Sequence, residues 1–422
     1  MIYEELLMDS STLLKFKLFK KIMFLGSPAY PIAQIATDMD LNYQQTVIDL
    51  TEIDKLKRYL KQFGLRFTYT EAGLVGDERV VRLALFNIIW LGVRGIEWPF
   101  AMDEKIADDL LEGFSAYFPL SRTYVGRHEL KFFAAIFYLR IKKDNYVKYD
   151  KAYDFLMRDN DYYDFELLPQ LIDVELTPRQ IKAETSFVYF LAHIIPFYTL
   201  ENDATLVQTV EDFADRPNPV YLLAKEYLAF AKQEFFADNP EILDHPMILG
   251  NLINIGFGYY VLRHPYPTIQ QMVEGQKESV RNLKQIEEKS EAWFTNAAQR
   301  SEFSSFINPT TTHLLARSFT QVLIPYFDWA KDADKVRVGV ALEHNYLLVK
   351  NLYRYLSDLR FVQAEPFDSS KSDEYDLAIS SSLLLKKRFP DQEIFLWDHA
   401  GDEAQMVALY KRLRKLFTEK NR

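Results

Sequence analysis

The sequence predicts a mainly α, multidomain protein: a winged helix-turn-helix over residues 1–97, two helical bundles over 98–205 and 206–330, and a small α/β domain over 335–422. Three observations point there. Between Met102 and Phe327 apolar residues recur at helical spacing, in long runs with short breaks at prolines such as Pro119, Pro178, Pro217 and Pro246. Beyond a charged stretch at 328–335 the period shortens, and strand-like alternation interleaves with helical runs. Near the start, two short apolar-periodic segments meet at a tight turn and lead into an alternating ribbon.

Residues 3–24 read as a first helix, with Leu6, Leu7, Leu13, Leu14 and Phe16 near helical spacing. Residues 31–40 make a second, with Ile32, Ile35, Ala36 and Met39 on one side. Leu41 and Asn42 supply the turn, and the Asn42 side chain suits an N-cap. Residues 44–62 follow as a helix with Val47, Leu50, Ile53, Leu56 and Leu60 on its inner face. Residues 65–69 alternate as a strand, 71–73 turn, and Leu74 and Val75 pair back as a wing. An apolar helix over 78–93 ends where Gly95 and Pro99 interrupt it, which sets the first domain boundary. The tail alternates strands at 336–340, 361–365, 375–379 and 393–397 with helices at 344–359 and 403–417, a pattern that suits a mostly parallel sheet.

The composition limits what the chain can be. Of its 422 residues 48% are apolar, with 32 Phe and 26 Tyr, which excludes a disordered protein. There is no cysteine, so disulfides, thiolate metal sites and a cysteine nucleophile are all excluded. The start lacks a basic stretch leading into an apolar core, so no signal peptide is expected, and no apolar run approaches the roughly 20 residues that span a bilayer. A cytoplasmic protein without membrane contact is expected.

A helix-turn-helix can lay its second helix in a DNA major groove, so double-stranded DNA is the expected partner. The amides of Asn42, Gln44 and Gln45 suit adenine edges, and Tyr43 and Thr46 belong to the same stretch. Lys55, Lys57 and Arg58, with Arg66 in the ribbon, would hold phosphates. The net charge of −10 does not favour nucleic acid in general, so local basic groups or a dimer must supply the attraction. An ordinary helical hairpin beside a β-ribbon fits the same residues.

No catalytic set is present: the chain has no Gly-rich phosphate loop, no His-Glu-x-x-His and no Gly-x-Ser-x-Gly, and no enzyme activity or cofactor is expected. None of the seven histidines lies three or four residues from another, so helical metal-ligand spacing is missing. His128 begins a strongly apolar helix, where the free N–H groups and the dipole would favour an added anion. His193 sits in an apolar helix just before Pro196, and His245 at another helix start. Taken singly, each also suits a hydrogen-bonded structural histidine.

Together these segments resemble the Mga family of transcriptional regulators of Gram-positive bacteria. The resemblance rests on residues 3–10 with the helix that follows, and on the helix-turn-helix at 31–60. It extends through Phe63-Gly64-Leu65, Val75-Gly76-Asp77-Glu78 with Arg82, and Trp98-Pro99-Phe100, and through the order of domains along essentially the whole chain. It implies that residues 98–205 and 206–330 are PTS-regulation domains and that 335–422 is like the IIB component of the sugar phosphotransferase system. It further implies phosphorylation of histidines by phosphotransferase-system phosphocarrier or IIB proteins. His128 and His193 stand in comparable places in the first such domain, and His245 and His313 in the second. Arg122, Arg127 and Arg140 are near His128 in sequence and could pair with an added phosphate. True IIB enzymes carry a cysteine just after the first strand, here around 341–343. Its absence leaves the tail an interaction or dimerisation role. The expectation is a homodimeric DNA-binding regulator tuned by histidine phosphorylation. The alternative is a regulator-like protein with weakened DNA binding that acts through protein contacts.

Overall fold

A computed structural model describes residues 37, 60–68, 73–93, 95, 98–194, 198–199, 203–268, 281–327, 335–342, 346–398 and 403–420. The described residues are mainly helical, with one two-stranded antiparallel ribbon and one four-stranded parallel sheet. They fall into two compact units. The first takes in the chain up to 275 together with 290–323, and the second 276–289 with 324–422.

In the first unit a helix ends at Leu60 and Lys61. Gly64 follows at φ +72°, with its N–H on the Lys61 carbonyl at 3.1 Å and the Leu65 N–H on the Leu60 carbonyl at 3.2 Å. This paired closure needs a left-handed residue, which is why glycine stands there. The ribbon pairs β1 (Arg66–Thr68) with β2 (Gly73–Val75) antiparallel, Arg66 opposite Val75. Leu65 and Leu74 are buried while Arg66 and Val75 face out, the alternation expected of a half-buried ribbon.

Asp77 then starts helix α1 (Glu78–Val93) by accepting from the Arg79 N–H at 2.9 Å. The residues from Val80 to Trp90 are all buried. The sequence groups this helix with the ribbon, yet its side chains pack into the helical body: Phe86 lies 5.6 Å from the Phe133 ring, and Trp90 5.4 Å from Phe132. Around it stand α2 (Glu104–Phe114), α3 (Tyr124–Ile141) and α4 (Pro178–Leu191). Next come α5 (Ala204–Ala214), α6 (Pro219–Glu234) and α7 (Pro246–Leu262). Helix α8 (Arg281–Ala297), whose residues up to 289 belong to the second unit, and α9 (Thr312–Leu323) follow. Two prolines read from the sequence as breaks, Pro178 and Pro246, turn out to be starts. Pro178, Pro219 and Pro246 occupy first helical positions, where the missing N–H costs nothing. Thr177, Asp203 and Asn218 cap the helices they precede.

The second unit contains the parallel sheet, ordered β4–β3–β5–β6. Its strands are β3 (Val336–Ala341), β4 (Val362–Pro366), β5 (Leu377–Ser380) and β6 (Ile394–Leu396). Helices α10 (Tyr346–Asp358), α11 (Leu384–Arg388) and α12 (Glu403–Lys420) accompany them. Val336, Val338, Leu377 and Ile379 of the central strands pack with Leu352 and Leu356 of α10 and Leu409 and Leu413 of α12. A Cβ at Gly339 would lie 2.7 Å from the Phe367 ring, so only glycine lets that ring close over β3.

Candidate functional site

Most of the residues expected to read DNA, namely Asn42, Tyr43, Gln44, Gln45, Thr46, Lys55, Lys57 and Arg58, lie outside the described residues. Arg66 is described: it sits on β1, exposed, across from exposed Val75.

The four candidate histidines differ sharply in setting. His128 lies on α3, whose N-cap is Thr123, whose side chain accepts from the Gly126 N–H at 3.1 Å. It is the fifth residue of that helix, just past the first turn, where the intrahelical ladder has begun with the Arg127 N–H on the Thr123 carbonyl. The anion-stabilising end expected for it therefore belongs to its neighbours, since the dipole's influence fades within the first turn. The ring is half-buried and lies 5.0 Å from the exposed Tyr124 ring. Its Nδ1 is 2.9 Å from the Tyr124 carbonyl. A carbonyl only accepts, so Nδ1 holds the proton, and in the neutral ring Nε2 carries the lone pair.

His313, in the first turn of α9, is exposed, with Nδ1 3.0 Å from Glu291 Oε2. A carboxylate likewise accepts, so this ring too presents Nε2 as the nucleophile. His245 is the N-cap of α7 and half-buried. His193 is buried beyond the end of α4: Nε2 meets the Tyr163 hydroxyl at 2.8 Å, and Nδ1 has no hydrogen-bond partner among the described residues. Burial pushes its imidazole down to about 4, so it is neutral near pH 7. Phosphoryl transfer to it would require the core to open.

The arginines near His128 in sequence are committed to carboxylates. Arg127 pairs with Glu112 at 2.9 Å, Arg140 with Glu78 at 2.6 Å, and Arg122 reaches Asp203 at 3.6 Å. Among the described residues no cluster of His, Asp or Glu suits a metal ion, and no helix is long and apolar enough to cross a membrane.

Sequence reasoning missed the polar residues buried inside the first unit. Glu184 sits in the middle of α4 fully buried and receives Arg82 of α1. Asn87 on α1 is 4% exposed, and its amide nitrogen has no hydrogen-bond partner among the described residues. For Arg82 and Asn87 the available signal was their place inside an otherwise apolar helical run, Val80 to Trp90; Glu184 had no such signal. No protein-family model matches the chain, and no curated protein sequence does either.

Proposed function

We propose that the chain is a DNA-binding transcriptional regulator of the Mga type, whose affinity for DNA is set through histidine phosphorylation in its helical body. The residues at 31–62 are the reading helices, β1 and β2 the wing, and the helical body two PTS-regulation domains. The IIB-like tail contributes to a homodimer. The observation that carries the reading is the route from ribbon to body. β2 leads within three residues into α1, and α1 is anchored in the body by the buried Arg82–Glu184 pair. A change in the body's packing therefore bears directly on the ribbon.

His128 and His313 are the preferred acceptors. Each holds its Nδ1 proton on an acceptor oxygen and leaves Nε2 to attack. In the transfer, the P–N bond of the donor phosphohistidine breaks as a P–N bond to Nε2 forms, while the Nδ1 proton stays in place. Exposed Tyr124 and Val125 beside His128 offer the donor protein an apolar landing point. The added charge, nearly −2, would compete with Glu112 for the adjacent Arg127.

The test incubates the protein with phosphorylated phosphocarrier and maps acid-labile phosphate by mass spectrometry, beside His128→Ala and His313→Ala. Label at either site, shifting the DNA-binding curve, is the expected result. No label where a known acceptor is labelled would remove the regulatory half of the proposal.

A second reading has its own support. Residues 42–49 contain no Lys or Arg and include Asp49, and the chain is acidic overall. A regulator acting through protein contacts fits that charge. Salt-dependent retardation of a DNA duplex would decide against it.

A further inference from the structure

The helical body holds a partly open cavity of about 340 Å³, lined by α1, α2, α3, α4, α7 and α9. Protein interiors leave few voids larger than a water molecule, whereas pockets for small molecules begin near 300 Å³. An empty space of this size forfeits dispersion contacts along every wall. Those walls are mostly rings and aliphatic chains, with Phe86, Phe133 and Tyr259 among them.

Two polar groups on the walls lack partners among the described residues. The Asn87 amide nitrogen is buried and makes no hydrogen bond among the described residues. Glu129 of α3, half-buried, has no hydrogen bond or ion pair among the described residues. Burial holds its carboxyl above the usual carboxylate range, and no nearby cation offsets that burial. Among the described residues of the wall the one basic group is Arg317, which already has an interaction of its own. An anionic guest would face Glu129 across a medium of low polarity. A cationic one would pair with it and lie against aromatic faces.

We propose that this cavity binds a small lipophilic ammonium compound, its charge on Glu129, its apolar body among the aromatic walls, and an acceptor oxygen, where it has one, on the Asn87 amide. The site is independent of the DNA-binding reading. It touches α1, so its occupant would share the helix that leads from the ribbon.

The experiment titrates the full chain by calorimetry with decylammonium, decanol and decanoate, each below its micelle-forming concentration. These probes share a chain and differ in head-group charge. The expected order is decylammonium tightest, decanol at least about tenfold weaker for want of a charge-assisted hydrogen bond, and decanoate without measurable binding. Glu129→Gln should lower decylammonium affinity about tenfold and leave decanol unchanged. Ala134→Leu, which fills the cavity, should weaken both. Equal binding of decanoate and decylammonium to the parent would overturn the charge assignment without recourse to a variant. Absence of binding by all three would overturn the site.

Discussion

Arg82 and Glu184, 102 residues apart in the chain, form a fully buried bidentate pair with N···O distances of 2.6 and 3.0 Å. Neither charge meets water, so each must be satisfied by protein. The remaining guanidinium donors reach Glu78 and the Asn145 carbonyl, both at 2.9 Å. Glu184 also accepts from the Val147 N–H at 2.9 Å, and the Phe137 and Phe187 rings flank the guanidinium. Burial pulls the Arg82 pKa down, but Glu184 and Glu78 outweigh it and the net shift is upward. The pair therefore fastens α1 to α4 and to the 145–147 segment in one register.

Removing one partner should cost far more than removing both. Arg82→Met leaves Glu184 buried without its cation, and a loss of about 3–5 kcal/mol is expected. Glu184→Leu leaves the guanidinium stranded and should cost a similar amount. The double variant Arg82→Met/Glu184→Leu should recover part of the loss. Urea unfolding of the three variants measures this, and additive losses would mean that the two residues do not act as a pair.

His193 makes stability depend on pH. Its ordinary value is 6.5, and burial lowers it to about 4 in the folded chain. As pH falls through about 6.5 the unfolded chain gains a proton that the folded chain refuses. The unfolded state then binds more protons, and stability falls. The contribution is fully present above pH 6.5 and is lost between there and pH 4, by about 3 kcal/mol over the whole window. His193→Gln keeps a polar group near Tyr163 and removes the titration. Urea midpoints at pH 7 and pH 4.5 should therefore drop less for the variant than for the parent. Equal drops would place the acid sensitivity elsewhere.

These two pairs mark how far the sequence could be read. The ribbon at 66–75, the helix at 78–93 and the four strands of the tail follow from short-range periods, and the structure has them within a residue or two of the expected bounds. Gly64 could be anticipated too, as the stop of a helix ending near Leu60. Glu184 could not. In its own segment, between Lys182 and Thr185, it looks like part of a solvated face. Its burial is decided by an arginine on another helix. The same holds for His193, whose partner Tyr163 comes from an irregular segment with no periodic signal. The prolines misled for a local reason, because a first-turn proline and a helix-breaking one look alike until the cap is seen.

Gly258 sets a close approach that a side chain would spoil. A Cβ there would lie 2.3 Å from the Tyr266 hydroxyl oxygen and 2.8 Å from its ring carbon. Tyr266 is buried, and it lines the helical-body cavity, so its ring can give way only by moving into that space. Gly258→Ala should destabilise the protein by about 1–3 kcal/mol through overpacking, despite alanine's better helix propensity. A stabilised variant in thermal unfolding would show that Tyr266 rotates into the cavity at no cost.

The proposed homodimer has a specific surface to test. In the tail, Leu384 is 70% exposed and Leu396 51% exposed. Leu396 ends β6, an edge strand of the sheet, and pairs in register with Ser380 at the end of β5. Leu384 follows only four residues after Ser380. The two leucines thus stand at the carboxyl ends of neighbouring strands, beside an edge that invites pairing with a second chain. Charging this surface should dissociate the dimer without unfolding it, because neither residue is in the core. The full chain is expected to sediment as a dimer and the Leu384→Glu/Leu396→Glu variant as a monomer, with unchanged circular dichroism. A dimeric variant would move the contact to another face, and a monomeric parent at all concentrations would remove the dimer. The reading helices would then have to hold DNA through a single half-site, and the affinity expected of paired half-sites would be lost with it.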